Sequence, residues 1–336
     1  SEDATHQTDA VYAEESDTSI LSDGKIDTSS LAGGAHVLSF MDTDTYGYIL
    51  PVTVVTKIIG SAQEFMDWRE ETSKNAKTYT DGNTAMADAY TYGEGEYILL
   101  TADITLTDDL QHQIWLQTSA DTVPTDNKLG FLGTFDGNGY TITALKAGRS
   151  GLFGDIGRGA GIKNLGVVAT LSSTAVAPDA SGSNQGTRPA ALASRAYGVT
   201  LENCYFDVTC GSYVNHSGLL FMAAADITIE NCVIVGTPGN GSAAGSSALV
   251  TSWVPYNHDN SIECVNVVAI SRNAGNQAFA YNGYSAFTAN VSVINGSAAD
   301  FDITAYELTG FDASGFNTEY FTVTENRIPQ WKGVQA

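Results

Sequence analysis

The stretch FLGTFDGNGYTITALKAGRSGLFGDIGRGAGIKNLGV, residues 131–167, decides how this chain is interpreted. Its apolar runs are short and lie at 140–145, 152–153 and 162–167. Glycine-rich corners separate these runs, which are too short for helices and too closely spaced for a sandwich of long strands. The stretch therefore predicts short strands on successive sides of one winding coil.

The pattern recurs along the chain in two independent positions. The hexapeptide at 162–167 returns at 201–206, 229–234, 262–267 and, more weakly, 288–293, and its third positions are Asn164, Asn203, Asn231, Cys264 and Asn290. A second apolar position precedes each copy, at Leu152, Leu192, Leu219, Leu249 and Phe279. The spacing between successive copies, with two or three short strands in each copy, is typical of a parallel β-helix.

The asparagines of this repeat are predicted to be corner residues. Asparagine tolerates the left-handed backbone of a sharp bend, and its amide can bond to the equivalent amide one repeat away. Cys264 takes the asparagine position in the fourth copy, so we expect the row of amides to be broken there. The residues that follow each corner are expected to form an inward column: Leu165, Cys204, Cys232, Val265 and Val291.

These residues also carry a family resemblance. GTFDGNGYTI, SGLFGDI and AGIKNLGV resemble the GLUG-type right-handed parallel β-helix modules of secreted and surface-attached bacterial proteins. The likeness runs from about residue 57 to the C-terminus. It implies an architecture more than an activity, because the family includes adhesins, large surface proteins and many members of unassigned role.

The predicted fold class is all-β, a right-handed parallel β-helix (solenoid) with a short N-terminal capping helix and an extended N-terminal arm. The helix rests on the capping box formed by Ser61 and Glu64. The predicted organisation is an acidic flexible arm or linker at 1–34, N-terminal strands at 35–60, capping helix and loop at 61–94, the β-helix at 95–310 and a C-terminal cap at 311–336.

Composition restricts the partners. With 38 acidic against 15 basic residues the net charge is −23, which argues against nucleic acid and anionic membranes, since binding to either depends on Lys and Arg. No apolar run is long enough to span a membrane, and no leader sequence is visible, so an exported form would be already processed. The four cysteines are expected to be buried free thiols, with a Cys204–Cys232 bond as the alternative.

Catalytic chemistry finds little support in the sequence. Glycoside hydrolysis needs two fixed carboxylates, whereas the paired acids at 14–15, 70–71 and 108–109 lie in the tail, on the predicted capping helix and in a loop, and none falls in the core region of the coils. Asp136 is interpreted as a turn residue that bonds its own backbone. The five histidines are isolated, so no catalytic residue, metal site or cofactor is predicted, and calcium binding has no specific motif behind it.

Two surfaces remain as candidate binding sites. Aromatic rings on neighbouring repeats could stack on sugar rings, and a glycan site is predicted at Trp253, Tyr256, Tyr281 and Tyr284. A strand interrupted by Pro51 is predicted to lie at a sheet edge, where it could join copies of the chain. Its self-association residues are Tyr48, Ile49, Leu50, Val52, Val54 and Val55.

The sequence thus predicts a non-catalytic extracellular or cell-surface structural protein of the adhesin type. Within that class we keep a self-assembling filament subunit joined through its N-terminal arm and strand, with itself or a surface glycan or protein as partner. The alternative is a polysaccharide lyase, a glycoside hydrolase or a glycan-binding protein.

Overall fold

The computed structural model describes most of the chain in segments. The described residues are 11–13, 16–19, 21–22, 25–26, 28, 31–42, 46–76, 91–108, 110, 130–147, 151–171, 190–210, 218–223, 226–237, 250–253, 262–272, 286–295 and 302–333. Two apolar clusters organise them, one inside the parallel sheets and a smaller one on their outer surface.

Strands dominate these segments. In chain order they are β1 (Val11–Ala13), β2 (Ser16–Ser19), β3 (Leu21–Ser22), β4 (Lys25–Ile26), β5 (Gly34–Asp42), β6 (Tyr46–Val54), β7 (Lys57–Ile59), β8 (Thr91–Tyr92), β9 (Tyr97–Leu100), β10 (Ile104–Leu106), β11 (Gly130–Phe131), β12 (Thr134–Asp136), β13 (Thr141–Ala147), β14 (Asp155–Ile156), β15 (Gly161–Lys163), β16 (Gly166–Leu171), β17 (Ala190–Ala196), β18 (Thr200–Glu202), β19 (Tyr205–Cys210), β20 (Gly218–Ala223), β21 (Ile227–Thr237), β22 (Thr251–Trp253), β23 (Ile262–Ser271), β24 (Ala286–Asn295), β25 (Phe321–Thr322) and β26 (Gln330–Trp331).

Two large sheets share the main core. The larger has 12 strands, ordered β10-β13-β16-β19-β21-β18-β15-β12-β9-β7, with β23 beside β21 and β24 beside β23. The smaller has six strands, ordered β22-β20-β17-β14-β11-β8. All of their pairings are parallel. Side chains from both sheets fill one apolar cluster, so the two sheets are layers around a common interior.

The helix α1 (Ala62–Ala76) packs into this interior. Its start follows the predicted capping box: the Glu64 amide donates to Ser61 Oγ at 3.2 Å, and Glu64 Oε2 accepts from the Gly60 amide at 2.8 Å. Phe65 and Trp68 are buried, and the Trp68 ring lies about 6 Å from four other aromatic rings: Tyr92, Phe131, Phe135 and Phe153. Large aromatic side chains bury much apolar area, so α1 contributes directly to the core.

The predicted fold class was wrong. We expected an all-β right-handed parallel β-helix with an extended N-terminal arm, whereas the described residues form parallel sheets of 12 and six strands with a helix in their shared core. The long strands β21, β23 and β24 run through the predicted corner, so strands expected on separate faces join one sheet; β21, for example, pairs with both β18 and β19. A layered arrangement is therefore described, and no solenoid is shown.

The described part of the N-terminal arm also lies in a sheet. β1 pairs antiparallel with β2 and with β5, and β5 pairs antiparallel with β6, which gives the order β2-β1-β5-β6. Strands β3 and β4 form a separate two-stranded ladder. The arm thus folds back on its own chain through β1.

The C-terminal residues 302–333 pack along the outer surface of the 12-stranded sheet. Leu308, Phe316, Phe321, Ile328 and Trp331 form the second apolar cluster with outward residues of β19, β21 and β23. A 310 turn at Ala313–Gly315 begins after Asp312, whose side chain accepts from the Ser314 amide. The Trp331 indole donates to Thr141 Oγ1 at 3.1 Å. This segment therefore covers the outer face along several strands.

Candidate functional site

The repeat asparagines occupy one bend of successive strands, and we call them the asparagine row. Its members all have φ between 51° and 56°: Asn164, Asn203, Asn231, Asn266 and Asn290. Asn203 Nδ2 donates to Asn164 Oδ1 at 3.3 Å, and Asn290 Nδ2 donates to Asn266 Oδ1 at 2.7 Å. The left-handed conformation predicted for Asn164, Asn203, Asn231 and Asn290 is confirmed, and the predicted amide bonding is confirmed between Asn164 and Asn203.

One member of the row corrects the predicted register. Asn266, and not Cys264, stands opposite Asn231, whose Oδ1 accepts from Asn266 Nδ2 at 2.9 Å. Cys264 instead pairs with Ile229 and Val267 pairs with Cys232, so the inward column contains Val267 where Val265 was expected. The row continues through the fourth copy because Asn266 adopts φ 54°, a left-handed conformation that asparagine tolerates more readily than most residues.

Both ends of the asparagine row are closed by other groups. Asp136 Oδ1 accepts from Asn164 Nδ2 at 2.9 Å, while the Asp312 amide donates to Asn290 Oδ1 at 3.1 Å. Polar groups buried in a protein cost free energy unless they are bonded. The bonded row therefore stabilises the bend that it occupies.

Asp136 is the carboxylate that sequence reasoning singled out. It accepts from the Asn138 amide at 2.9 Å, as the turn interpretation predicted, and also from the Tyr97 hydroxyl. Lys163 Nζ lies 3.8 Å from Asp136 Oδ2 and 5.1 Å from the centre of the Tyr97 ring. Burial and the bond to Asp136 raise the pKa of Tyr97. The carboxylate thus holds a turn, a tyrosine and the asparagine row together.

A buried charged pair in the six-stranded sheet was missed by sequence reasoning. Asp155 on β14 stands directly opposite Arg195 on β17, and Arg195 Nε lies 3.4 Å from Asp155 Oδ1. Arg195 Nη1 also donates to the Tyr197 hydroxyl at 3.3 Å. The available signal was the second repeat position: aligning Leu152 with Leu192 places residue 155 opposite residue 195.

Burial governs the ionisation of this pair. Asp155 is fully buried, and among the described residues neither carboxylate oxygen finds a partner with hydrogen-bond geometry. Burial raises the pKa of Asp155 to about 6 although the Arg195 guanidinium opposes the shift. Burial likewise raises the pKa of Tyr197 to about 12. The cluster is sealed inside the core, so it bears on stability rather than on contact with a ligand.

The cysteines are free and buried, as predicted. The Cys204 amide lies 3.4 Å from Cys232 Sγ, and the Cys232 thiol lies 3.0 Å from the Glu230 carbonyl oxygen, which it can donate to. Burial and the nearby Glu263 carboxylate raise the pKa of Cys264 to about 12. A raised pKa suppresses the thiolate that reacts, so Cys264 acts as a small apolar core residue.

The predicted glycan site lies largely outside the described residues. Trp253 is the last residue of β22 and stands opposite Met222 of β20, but its side chain is not among those described. Tyr256, Tyr281 and Tyr284 lie outside the described residues altogether. The glycan site therefore stays a prediction.

The predicted self-association residues are brought together on one strand. β6 contains five of them and Val55 follows it directly. Val52 and Val54 are partly buried and alternate with exposed Pro51 and Thr53, while the side chains of Tyr48, Ile49 and Leu50 are outside the described set. As the Pro51 argument predicted, β6 is the outermost strand of its sheet.

Two further sequence predictions concern metals and membranes. Over the described segments, no group of three or more His, Cys, Asp or Glu side chains is arranged to hold a metal ion. No helix among the same residues is both long and apolar enough to cross a bilayer.

No family model, no curated protein and no solved structure matches the chain. The resemblance to GLUG-type modules accordingly stays a prediction, and any function must be argued from the residues themselves.

Proposed function

We propose that this chain is a non-catalytic structural subunit of an extracellular, surface-displayed assembly, and that its copies join through the outer edge of β6. The observation that carries the proposal is the position of β6 at the end of the order β2-β1-β5-β6. An edge strand offers a row of backbone N–H and C=O groups to another chain. The occupant we assign to this edge is a second copy of the same protein.

Pro51 shows which backbone groups face outward. It lies inside β6 and pairs with Val37 of β5, although it has no N–H to donate. Proline is accepted in a strand where its nitrogen points away from the neighbouring strand. Because orientation repeats every second residue, the amides of Ile49 and Thr53 also point outward and are available to a partner.

The absence of charged residues favours this edge over the rest of the surface as a contact between copies. Residues 45–56 contain no Asp, Glu, Lys or Arg in a chain whose net charge is −23. Free subunits repel one another through that net charge, whereas two uncharged strands approach without a local penalty. Salt should therefore strengthen assembly by screening the remaining repulsion.

The structural role of Asp136 supports the non-catalytic part of the proposal. A general acid or nucleophile must be free to reach a substrate. Asp136 Oδ1 instead accepts two hydrogen bonds, from Asn138 and Asn164, and Oδ2 accepts one from Tyr97. The carboxylate best placed for chemistry is used to hold the bend.

The test is a substitution that removes one outward amide. Thr53→Pro deletes the Thr53 N–H while leaving the bonds to β5 intact, and Thr53→Val is the matched control, since it keeps the N–H and loses only the hydroxyl. We expect sedimentation and negative-stain images at high salt to show extended assemblies for the wild-type protein and for Thr53→Val, and a clear loss of these extended assemblies for Thr53→Pro.

Circular dichroism and thermal unfolding should show that Thr53→Pro folds like the wild-type protein. If the wild-type protein stays monomeric at high concentration and high salt, or if Thr53→Pro assembles as well as Thr53→Val does, the proposed role of β6 is rejected.

A further inference from the structure

Among the described residues, the last strand of the 12-stranded sheet has an uncovered edge. β24 pairs with β23 and with no other strand of the described residues. One inward column crosses the sheet in register and contains Ile104, Ile142, Val167, Phe206, Ile234, Ala269 and Val293. The first six are buried, yet Val293 is 48% exposed. The column therefore ends in an uncovered valine.

The opposite end of the same column is covered. Ile104 is only 4% exposed, and α1, with Phe65 and Trp68 in the core, packs beside β10. Burying an apolar side chain of this size stabilises the fold. Thus α1 covers the Ile104 end of the column, whereas the Val293 end is an exposed apolar edge.

The open edge lies in a long uncharged part of the chain. Residues 273–299 contain no Asp, Glu, Lys or Arg, although the chain as a whole carries −23. Solvent-facing edge strands are usually protected by charges, proline or a covering element, and β24 has neither a charge nor a proline. This composition suits an edge that is covered by protein.

We propose that β24 pairs antiparallel with β24 of a second copy around a two-fold axis. The segment Val291-Ser292-Val293 reads the same in both directions. Centring the axis on Ser292 puts Val291 opposite Val293 of the other copy, and both valines belong to the inward face, because Val291 pairs with Val267 and Val293 with Ala269. Antiparallel pairing keeps residues on the same face, so the two interiors become continuous.

The asparagine row is compatible with this interface. Asn290 already has its amide satisfied by Asn266 and by the backbone of Asp312. No polar group of this corner has to be desolvated when a partner approaches the segment beyond it. A two-fold contact uses the same patch on both copies and closes at a dimer, and it does not depend on β6.

The test is sedimentation of the full chain over a wide concentration range at high salt. In the Thr53→Pro background, where only the β24 contact can form, Val293→Lys places two like charges across the proposed axis and should weaken dimer formation about tenfold or more, corresponding to at least about 1.4 kcal/mol. Leu145→Lys is the matched control, because Leu145 is a similarly exposed apolar residue, 46% accessible, on β13. It should associate like the wild-type protein.

A covalent probe checks the geometry. Ser292→Cys lies at the proposed axis, so oxidised glutathione should convert two of its thiols into one intermolecular disulfide and release two molecules of reduced glutathione. We expect a disulfide-linked dimer for Ser292→Cys and none for Leu145→Cys.

These experiments separate the two interfaces. With both in place, the wild-type protein forms chains longer than dimers; Thr53→Pro alone and Val293→Lys alone give dimers, and the double variant gives monomers. If Thr53→Pro has no effect while Val293→Lys gives monomers, β6 is rejected and the β24 contact stands. A Val293→Lys variant that associates as the wild-type protein does, or an Ser292→Cys variant without a covalent dimer, overturns the β24 proposal.

Discussion

The asparagine row and the Asp155–Arg195 pair are two ways of placing polar side chains inside the same parallel sheets. The row is neutral, and the bonds from Asn203 to Asn164, from Asn266 to Asn231 and from Asn290 to Asn266 each join an amide donor to an amide oxygen. The pair is charged and fully buried, and its carboxylate oxygens lack hydrogen-bond geometry among the described residues. Buried charge pairs often cost as much desolvation energy as they recover. The row therefore stabilises the fold, whereas the pair makes the stability of the fold sensitive to mutation and pH.

The largest effect should come from breaking the charged pair. Arg195→Met removes the guanidinium that offsets the charge of Asp155, and an uncompensated buried charge destabilises a protein by about 3–5 kcal/mol. We expect a loss of this size in the free energy of unfolding, measured with denaturant at neutral pH. Arg158→Met, at an exposed arginine, is the control and should change stability little. A loss no larger than that of the control would show that the pair contributes nothing particular.

The pH dependence should be next in size. The pKa of Asp155 is about 6 in the folded chain, above its value in the unfolded chain, so the folded state holds the proton more tightly. Stability from this group is therefore present near pH 4 and is lost as the pH rises through 6. A shift of two pKa units corresponds to about 3 kcal/mol in the free energy of unfolding.

The measurement is the difference between the wild-type protein and Asp155→Asn. Both proteins contain the other groups that face residue 155, namely Arg195, Tyr197 and Tyr92. We expect the wild-type stability, relative to the variant, to fall between pH 4 and pH 7. Parallel curves across that range would contradict the buried ionisation of Asp155.

The smallest effect should come from one link of the asparagine row. Asn203→Ala removes the bond to Asn164 and leaves an alanine at φ 52°, where a side chain other than asparagine costs roughly 1–2 kcal/mol. Asn203→Gly loses the same bond without that backbone cost. We expect Asn203→Ala to be about 1 kcal/mol less stable than Asn203→Gly. Equal stability of the two variants would mean that the bend does not depend on the left-handed residue.

The register predicted for the fourth repeat was wrong, because the hydrophobic pattern alone does not determine which residues pair. The hexapeptide alignment matched Ile262 with Ile229, whereas the structure pairs Ile262 with Ile227. A slip of two residues keeps every side chain on its face, because side chains alternate with a period of two. Hydrophobic pattern could not distinguish the two registers; the positive φ shared by Asn231 and Asn266 could.

The second repeat position was predicted well where it can be checked. Leu152, Leu192 and Leu219 are fully buried in the same core, while Leu249 and Phe279 lie outside the described residues. The same alignment implied the pairing of Asp155 with Arg195, but isolated charged residues in an apolar strand gave no reason to expect burial. Burial is a property of the assembled sheets, so it could not be obtained from either strand alone.

The sequence by itself determined the local features of this protein: the repeating parallel strands, the bends at asparagine, the capped start of α1 and the edge position of β6. Each follows from short-range rules on backbone conformation, capping and alternation. Tertiary structure alone decided that the strands form layered sheets of 12 and six, that α1 enters their core, and that the C-terminal segment covers the outer face. These outcomes depend on which apolar surfaces meet, and residues distant in the chain supply those surfaces.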